Sequence, residues 1–352
     1  MKKNICIVAG ARPNFIKVAP LLRAIHKSGQ MDCHLVYAGR EDDPTLEPSL
    51  FDDLQMRRPD FCLGVDSESL NEITSRVMGK FDRFLDAHPA DVVIVVDDLA
   101  STMAAAIVTK KRGLKLAHLV AGTRSFDINM PKEINRLVID ALSDYLFTAG
   151  VRSTGIATRE QAETSQTYLV GNILMDNLRF NRDRLQRPAL MDGIPGRYIV
   201  FTLNRRALIS DEAKARRMVE AMVEAAGDLT IVAPLRKEAR NLLEKFNVNI
   251  LVVNSLNYLE FGWLMAHAAG VITDSGNVAE EATFNGVPCI TLNNYTEHQE
   301  TVTIGSNVLV GEDAGKLHEA VRQMVNGTWK KCALPDRWDG RTAERIVQIL
   351  LT

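Results

Sequence analysis

The sequence predicts an α/β protein built as two Rossmann-like domains, each a parallel sheet covered by helices, facing one another across a cleft. Short β-branched runs alternate with helical patterns from end to end, the pattern of a parallel sheet clothed on both faces. The alternation falls into two series, broken around residues 171–197 by a charge-rich helical stretch (177–187) and then Pro188, Gly193, Pro195 and Gly196. The residues richest in chemistry follow strands in both series, and ligands of open α/β sheets bind beyond the carboxyl ends of strands. Residues 1–170 therefore read as the first domain, 171–197 as a linker and 198–335 as the second domain. The terminal helix, at about 336–352, has a strong apolar stripe and no strand beside it, so it is expected to return to the first domain.

Each element has a local reason. Residues 4–9 form a strand, and Pro13 opens a helix with Ile16, Ala19, Leu22 and Ile25 at helical spacing. Further strands are predicted at 33–38, 92–96, 115–120, 145–148 and 166–170, with a helix over 102–112 that Gly113 stops. The second series begins at 198–202 and continues near 229–233, 249–253, 270–273 and 288–292.

Composition narrows the function classes. The 352 residues are long enough for two ordinary cores, and 46% hydrophobic with 24% charged residues suits a globular chain. A net charge of -2 gives no overall pull toward nucleic acid or an anionic membrane. The apolar run after Lys2 and Lys3 is too short for a signal-peptide core, and no stretch reaches the roughly 20 residues that span a bilayer. Five scattered cysteines show neither a paired nor a metal-binding spacing. A cytoplasmic chain without metal, nucleic-acid or membrane partner is expected.

Three segments carry candidate chemistry. In Thr273-Asp274-Ser275-Gly276-Asn277 a strand runs into a small-residue turn that opens a helix, whose first amides suit a phosphate. Glu281, on the second turn, is placed to take ribose hydroxyls; an ordinary serine cap with an acidic first turn fits the same letters. In Gly10-Ala11-Arg12-Pro13, Arg12 and Lys17 frame a helix start, either as phosphate ligands or as exposed cations. Asp97 and Asp98 follow the 92–96 strand, where adjacent acids suit proton transfer, or Asp98 caps the next helix.

Between residues 117 and 136 the frame Ala117-His118-Leu119-Val120-Ala121-Gly122-Thr123-Arg124-Ser125-Phe126-Asp127, then Met130-Pro131-Lys132-Glu133-Ile134-Asn135-Arg136, resembles HVEAGLRSFD…MPEEINR of the non-hydrolysing UDP-N-acetylglucosamine 2-epimerases. The resemblance extends along almost the whole chain. Gly10–Pro20 is similar to that family's G[TA]RP[EN]xxKxAP, residues 273–282 to TDSGGxQEEA, and Val170-Gly171-Asn172 with Asp176 to VGN…D. It implies a two-lobe fold of the glycosyltransferase-B type, a homodimer, no cofactor and no metal, and UDP or a UDP-sugar as ligand. By the same resemblance Arg12, Lys17, Arg136, Arg205, Ser275, Gly276, Asn277 and Glu281 hold UDP, and Asp98 is catalytic.

Four family positions serve the reaction, and three are altered: Val120 and Lys132 replace glutamates, and Asn204 replaces the histidine of T-x-H-R. The family's TERPET is Thr296-Glu297-His298-Gln299-Glu300-Thr301, and its effector segment TGQHYD keeps only Gly39 and Asp43. The implied activity is interconversion of UDP-GlcNAc and UDP-ManNAc, with Asp97, Asp127, Glu133 or His298 as substitute proton carriers. The alternatives are a catalytically impaired nucleotide-sugar-binding relative, or another reaction of a UDP-sugar.

Overall fold

The structure, a computed structural model, describes residues 2–44, 46–161, 163 and 165–352. The chain divides into two compact units, residues 1–180 with 336–352, and residues 181–335.

The first unit runs β1 (Lys3–Ala9), α1 (Arg12–Ser28), β2 (Met31–Tyr37), α2 (Pro48–Leu54), β3 (Phe61–Cys62), α3 (Leu70–Ala87) and β4 (Val92–Val96). It continues through α4 (Ala100–Lys111), β5 (Lys115–Ala121), α5 (Pro131–Leu142), β6 (Tyr145–Thr148), α6 (Val151–Gln161), β7 (Gln166–Leu169) and α7 (Leu174–Asn181). The strands form one seven-stranded sheet in the order β3-β2-β1-β4-β5-β6-β7, with every pairing parallel. All five residues of β4 are buried, as a strand with neighbours and helices on every side requires. Gly113, at φ 72°, takes the left-handed position that closes α4, a conformation costly for any side chain.

The second unit runs β8 (Tyr198–Phe201), α8 (Arg206–Ser210), α9 (Glu212–Ala226), β9 (Thr230–Leu235), α10 (Lys237–Glu244), β10 (Leu251–Asn254) and α11 (Tyr258–Ala266). It ends with β11 (Gly270–Thr273), α12 (Gly276–Asn285), β12 (Cys289–Thr291), α13 (Glu300–Thr303), β13 (Asn307–Leu309) and α14 (Ala314–Val325). Its sheet has six strands in the order β10-β9-β8-β11-β12-β13, again all parallel.

The last helix, α15 (Thr342–Leu351), belongs to the first unit and packs on α1. Asp176 accepts the amides of Thr342 at 3.0 Å and Ala343 at 2.8 Å, capping that helix. Trp338 is fully buried and donates its indole N–H to the Ala149 carbonyl at 2.9 Å. Burial pushes the Asp176 carboxyl up to about 6 despite those amides and the Thr342 hydroxyl.

Sequence reasoning misses β3 and β13. They are edge strands of only two and three residues. The helical stretch foreseen at 177–187 begins earlier and ends at Asn181, passing into a short 3-10 turn at Arg182–Arg184. Cys6 and Cys289 are buried, whereas Cys33 is only half-buried. Among the described residues, no helix is long and apolar enough to cross a membrane. None of their His, Cys, Asp and Glu side chains form a group of three placed to hold a metal ion.

Candidate functional site

Each sheet reverses its winding at one point, between β1 and β4 in the first unit and between β8 and β11 in the second. Such a switch leaves a crevice at the carboxyl ends of the two strands. The candidate residues gather at both switches, as two half-sites.

In the first unit the chain leaves β1 through Gly10. A Cβ there would fall 2.1 Å from the Ser101 Oγ and 2.8 Å from Leu99 Cδ1, so any larger residue would force the start of α4 to readjust. Asn14 accepts the amides of Gly10 at 2.8 Å and Ala11 at 3.1 Å, then donates to Asp97 at 2.8 Å. Lys17, nearly buried, donates to the other oxygen of Asp97 at 2.5 Å. Asp97 therefore fastens α1 to the turn after β4, and does so from a left-handed backbone at φ 59°. Arg12 points toward Glu47, 3.6 Å away.

Asp98 is the centre of this half-site. Arg136 approaches its Oδ2 with Nε at 2.7 Å and Nη2 at 2.6 Å, and Lys132 Nζ lies 3.5 Å from Oδ1. Burial pulls the carboxyl upward, but the charges of Arg136 and Lys132, the Arg136 hydrogen bond and the charge of Lys17 outweigh it. Asp98 is thus held below the usual carboxylate range and is ionised at neutral pH.

Glu133 accepts the Ser125 amide (2.8 Å), the Ser125 hydroxyl (2.9 Å), the Phe126 amide (3.0 Å) and Arg136 Nη1 (3.2 Å). Those donors overcome the upward effect of burial and keep it ionised. Its geometry is that of a clamp on the loop between β5 and α5. Asp127, on that loop, is exposed and accepts two bonds from Asn129. Val120 occupies a β-bulge, where the register against β6 shifts between Leu119 and Ala121, at φ 75°. A left-handed β-branched residue is strained by roughly 1–3 kcal/mol and persists only where its surroundings enforce it.

In the second unit, Ser275 is the residue before α12, but its hydroxyl makes no capping bond. Its amide donates to Thr273 Oγ1 at 3.0 Å, and the first turn of α12 is left without a side-chain cap. The ordinary serine-cap reading is therefore not what the structure adopts, and these amides keep the positive helix end that attracts anions. Asp274 Oδ2 accepts the amides of Asn204 at 2.7 Å and Arg205 at 2.5 Å, tying the turn after β8 to that after β11. The Arg205 guanidinium reaches Glu312 at 3.1 Å and Asn293 at 3.3 Å.

Glu281 is buried, and no described residue hydrogen-bonds its carboxyl. Burial first, then the charge of Glu280, pushes it up to about 8, so it is mostly protonated at neutral pH. His298 lies 3.7 Å from Glu280, both of them buried.

Asp97, Asp98, Lys17, Lys132, Glu133 and Arg136 are thus brought together in one half-site. In the other, Ser275, Gly276, Asn277 and Glu281 share the start of α12, and Arg205 lies on the turn that Asp274 ties to it. Sequence reading missed the clamps. Asn14 and Asp274 hold turns by hydrogen bonds that no spacing rule announces, although Asp274 stands next to the recognised helix start.

Two doubly wound parallel-sheet units, each with its anion-suited or acid-bearing turns at the switch point, define a two-domain α/β protein of the Rossmann-like kind. The model of the UDP-N-acetylglucosamine 2-epimerase family matches residues 23–351, and the chain belongs to that family. It is 32% identical to UDP-N-acetylglucosamine 2-epimerase of Methanocaldococcus jannaschii over 99% of this chain and 98% of that one. The crystal structure of that relative in complex with UDP-GlcNAc and UDP matches with a TM-score of 0.85 over 99% of both chains. UDP-2,3-diacetamido-2,3-dideoxy-D-glucuronate 2-epimerase of Pseudomonas aeruginosa is 31% identical over 92% of this chain and 93% of its own. UDP-GlcNAc 2-epimerase from Neisseria meningitidis shares the fold at 23% identity, with a TM-score of 0.86 over 99% of both chains.

Proposed function

We propose that this protein binds UDP-N-acetylglucosamine and inverts C2 of the sugar, interconverting it with UDP-N-acetylmannosamine, with Asp98 as the proton-transfer group. The observation that carries this reading is Asp98 itself. It is a mostly buried carboxylate at the end of β4, kept ionised by Arg136 and Lys132. Such a group can take a proton from carbon when a bound substrate is held against it.

The chemistry balances without an outside reagent. The C2 proton leaves to a base, the C1–O bond breaks to release UDP, and a C1=C2 unsaturated sugar remains. UDP then re-adds at C1 and a proton returns to the other face of C2. Lys132 Nζ, 3.5 Å from Asp98, adds a second positive charge beside the same carboxylate. In the second unit the uncapped start of α12 at Ser275, Gly276 and Asn277, together with Arg205, suits the diphosphate, and Glu281 suits the ribose hydroxyls. Arg12, Lys17 and Arg136 are assigned to the ligand's charge in the first unit. A homodimer, resting on the family resemblance, and a cytoplasmic location, resting on composition and the scattered cysteines, complete the proposal.

The test is an NMR time course of UDP-N-acetylglucosamine with the purified protein in D₂O. Loss of the C2 proton signal with growth of the second epimer supports the reading. UDP binding with no C2 exchange replaces it with a nucleotide-sugar binder, and free UDP accumulating without epimer replaces it with another UDP-sugar reaction.

A further inference from the structure

Behind Asp98 lies a buried polar group of four side chains that the proposed chemistry does not use. His118, on β5, presents Nδ1 to Asp140 Oδ1 at 2.5 Å and Nε2 to the backbone carbonyl of Asp97 at 3.0 Å. Asp140, on α5, also accepts Arg124 Nη1 at 2.7 Å and the Gly122 amide at 3.1 Å on its second oxygen. Arg124 continues to Glu160, on α6, at 2.6 Å. The side chains of His118, Asp140 and Arg124 are at most 1% exposed, and that of Glu160 is 25% exposed.

The identity of the partners fixes the protons. A carbonyl oxygen has no proton to give, so the ring nitrogen facing Asp97 must be the donor. Asp140 already accepts an amide and a guanidinium on its second oxygen. It too acts only as an acceptor, so the other ring nitrogen must also donate. Charge agrees with this count: two carboxylates, Asp140 and Glu160, face one guanidinium, and a cationic ring brings the group to neutrality. A buried charge left over would be costly.

What this group holds is the backbone of the site. The Asp97 carbonyl turns toward His118 because Asp97 is left-handed, and its amide donates to the Leu119 carbonyl at 3.2 Å. The residue before Asp98 is therefore bound to β5 from both sides of its own α-carbon. The Gly122 amide ties the far end of the Val120 bulge to the same Asp140. One hub thus fixes two strained turns, those at Asp97 and at Val120.

We infer that His118 is a positioning residue, donating from both ring nitrogens as a buried imidazolium and so fixing where the Asp98 carboxylate stands. This rests on the reading of Asp98 as the proton-transfer group. It makes no contact with substrate and acts through the Asp97 peptide. Small displacements of a reacting group cost rate out of proportion to their size, about 10²-fold for 1 Å.

The experiment has two arms. In the first, ¹H–¹⁵N spectra of the histidine rings are recorded on the whole protein at pH 7.5, with His118 assigned by its absence from His118→Gln. Both nitrogens carrying protons supports the inference. One unprotonated nitrogen overturns it, whether or not any variant folds. In the second, His118→Gln, which offers one donor in place of two, is compared with wild type for C2 exchange and for UDP affinity by calorimetry. The expected result is kcat lower by about 10- to 100-fold with UDP affinity within about twofold. An unchanged kcat overturns the positioning role. Absence of C2 exchange in the wild type, with both ring nitrogens protonated, overturns the epimerase reading while supporting the bifacial histidine.

Discussion

Removing Arg136 isolates the electrostatics of the first half-site. Its side chain is 2% exposed and bridges Asp98, 13% exposed, to Glu133, 3% exposed. Arg136→Met keeps most of the volume and deletes the charge. Glu133 retains three donors from Ser125 and Phe126, so the loss falls mainly on Asp98. Lys132 is more than half exposed, and an ion pair of that kind contributes only about 0–1 kcal/mol. Breaking a buried pair by deleting one partner costs about 3–5 kcal/mol, and that is the expected fall in stability at pH 7.

The pH dependence reveals the cause. In the wild type, Asp98 is held below its ordinary value of 3.8, so its contribution is present above the unfolded pKa and is lost as pH falls through the folded one. In Arg136→Met, burial, already the largest influence on Asp98, is opposed only by the charges of Lys132 and Lys17, and the carboxyl is expected to rise above its unfolded value. The sign then reverses: the deficit is smallest well below the unfolded value of 3.8, where the group is protonated in both states, and grows as pH rises. Urea denaturation of both proteins at several values between pH 4.5 and 8 measures it. Adding Asp98→Asn to Arg136→Met should recover most of the loss at pH 7, because the uncompensated charge is then gone. A deficit that is independent of pH, or one below about 1 kcal/mol at neutral pH, would refute the account of Arg136 as the counter-charge of Asp98.

Two further outcomes follow from the same geometry. Glu281, pushed up to about 8, is mostly protonated in the free protein at pH 7, and ribose hydroxyls donating to it favour the ionised form. UDP binding at pH 7 should therefore release a proton, and affinity should rise with pH up to about 8 and level off above. Calorimetry in two buffers of different ionisation enthalpy reads this directly, and identical heats in both buffers, or release undiminished in Glu281→Gln, would count against it. Restoring Val120→Glu, Lys132→Glu and Asn204→His together should speed C2 exchange and weaken UDP binding. Lys132 lowers the basicity of Asp98, and a positioned proton carrier is worth about 10²–10⁴-fold. A triple variant that exchanges no faster than wild type would place the chemistry elsewhere.

The fold is largely legible in the sequence because parallel strands buried on both faces write themselves as apolar runs. Val92–Val96 and Tyr198–Phe201 stand out on that ground alone, and both prove to be central strands. Phe61–Cys62 and Asn307–Leu309, at two and three residues, are too short to stand out, whereas the four-residue edge strands Gln166–Leu169 and Leu251–Asn254 are legible. The half-sites are legible where chemistry follows a strand: Asp98, Arg12 and Ser275 fall there. The hidden part is made of side chains bonded to distant backbone. Asp274 seizes two amides 69 and 70 residues away, and His118 bonds to a carbonyl 21 residues back. No periodicity encodes those distances, since they arise only once two strands lie side by side.

This division explains how the chain keeps the family frame while changing three letters within it. Val120 is nonpolar, Lys132 reaches only a 3.5 Å ion pair from an exposed position, and the Asn204 side chain makes no hydrogen bond among the described residues. The turns around them are held by other groups: Gly10 by its lack of a Cβ, Asp97 through Lys17 and Asn14, the 125–130 loop through Glu133, and the 202–205 turn through Asp274. The bulge at Val120 is the sharpest case. Its left-handed backbone is unfavourable for valine, yet it is retained because its flanks are fixed by the Leu119–Asp97 and Gly122–Asp140 bonds. The geometry of the half-site is therefore set by residues that carry no proton to the substrate. The three altered positions, Val120, Lys132 and Asn204, can thus vary at little cost to folding, whereas Asp98, paired with Arg136, cannot.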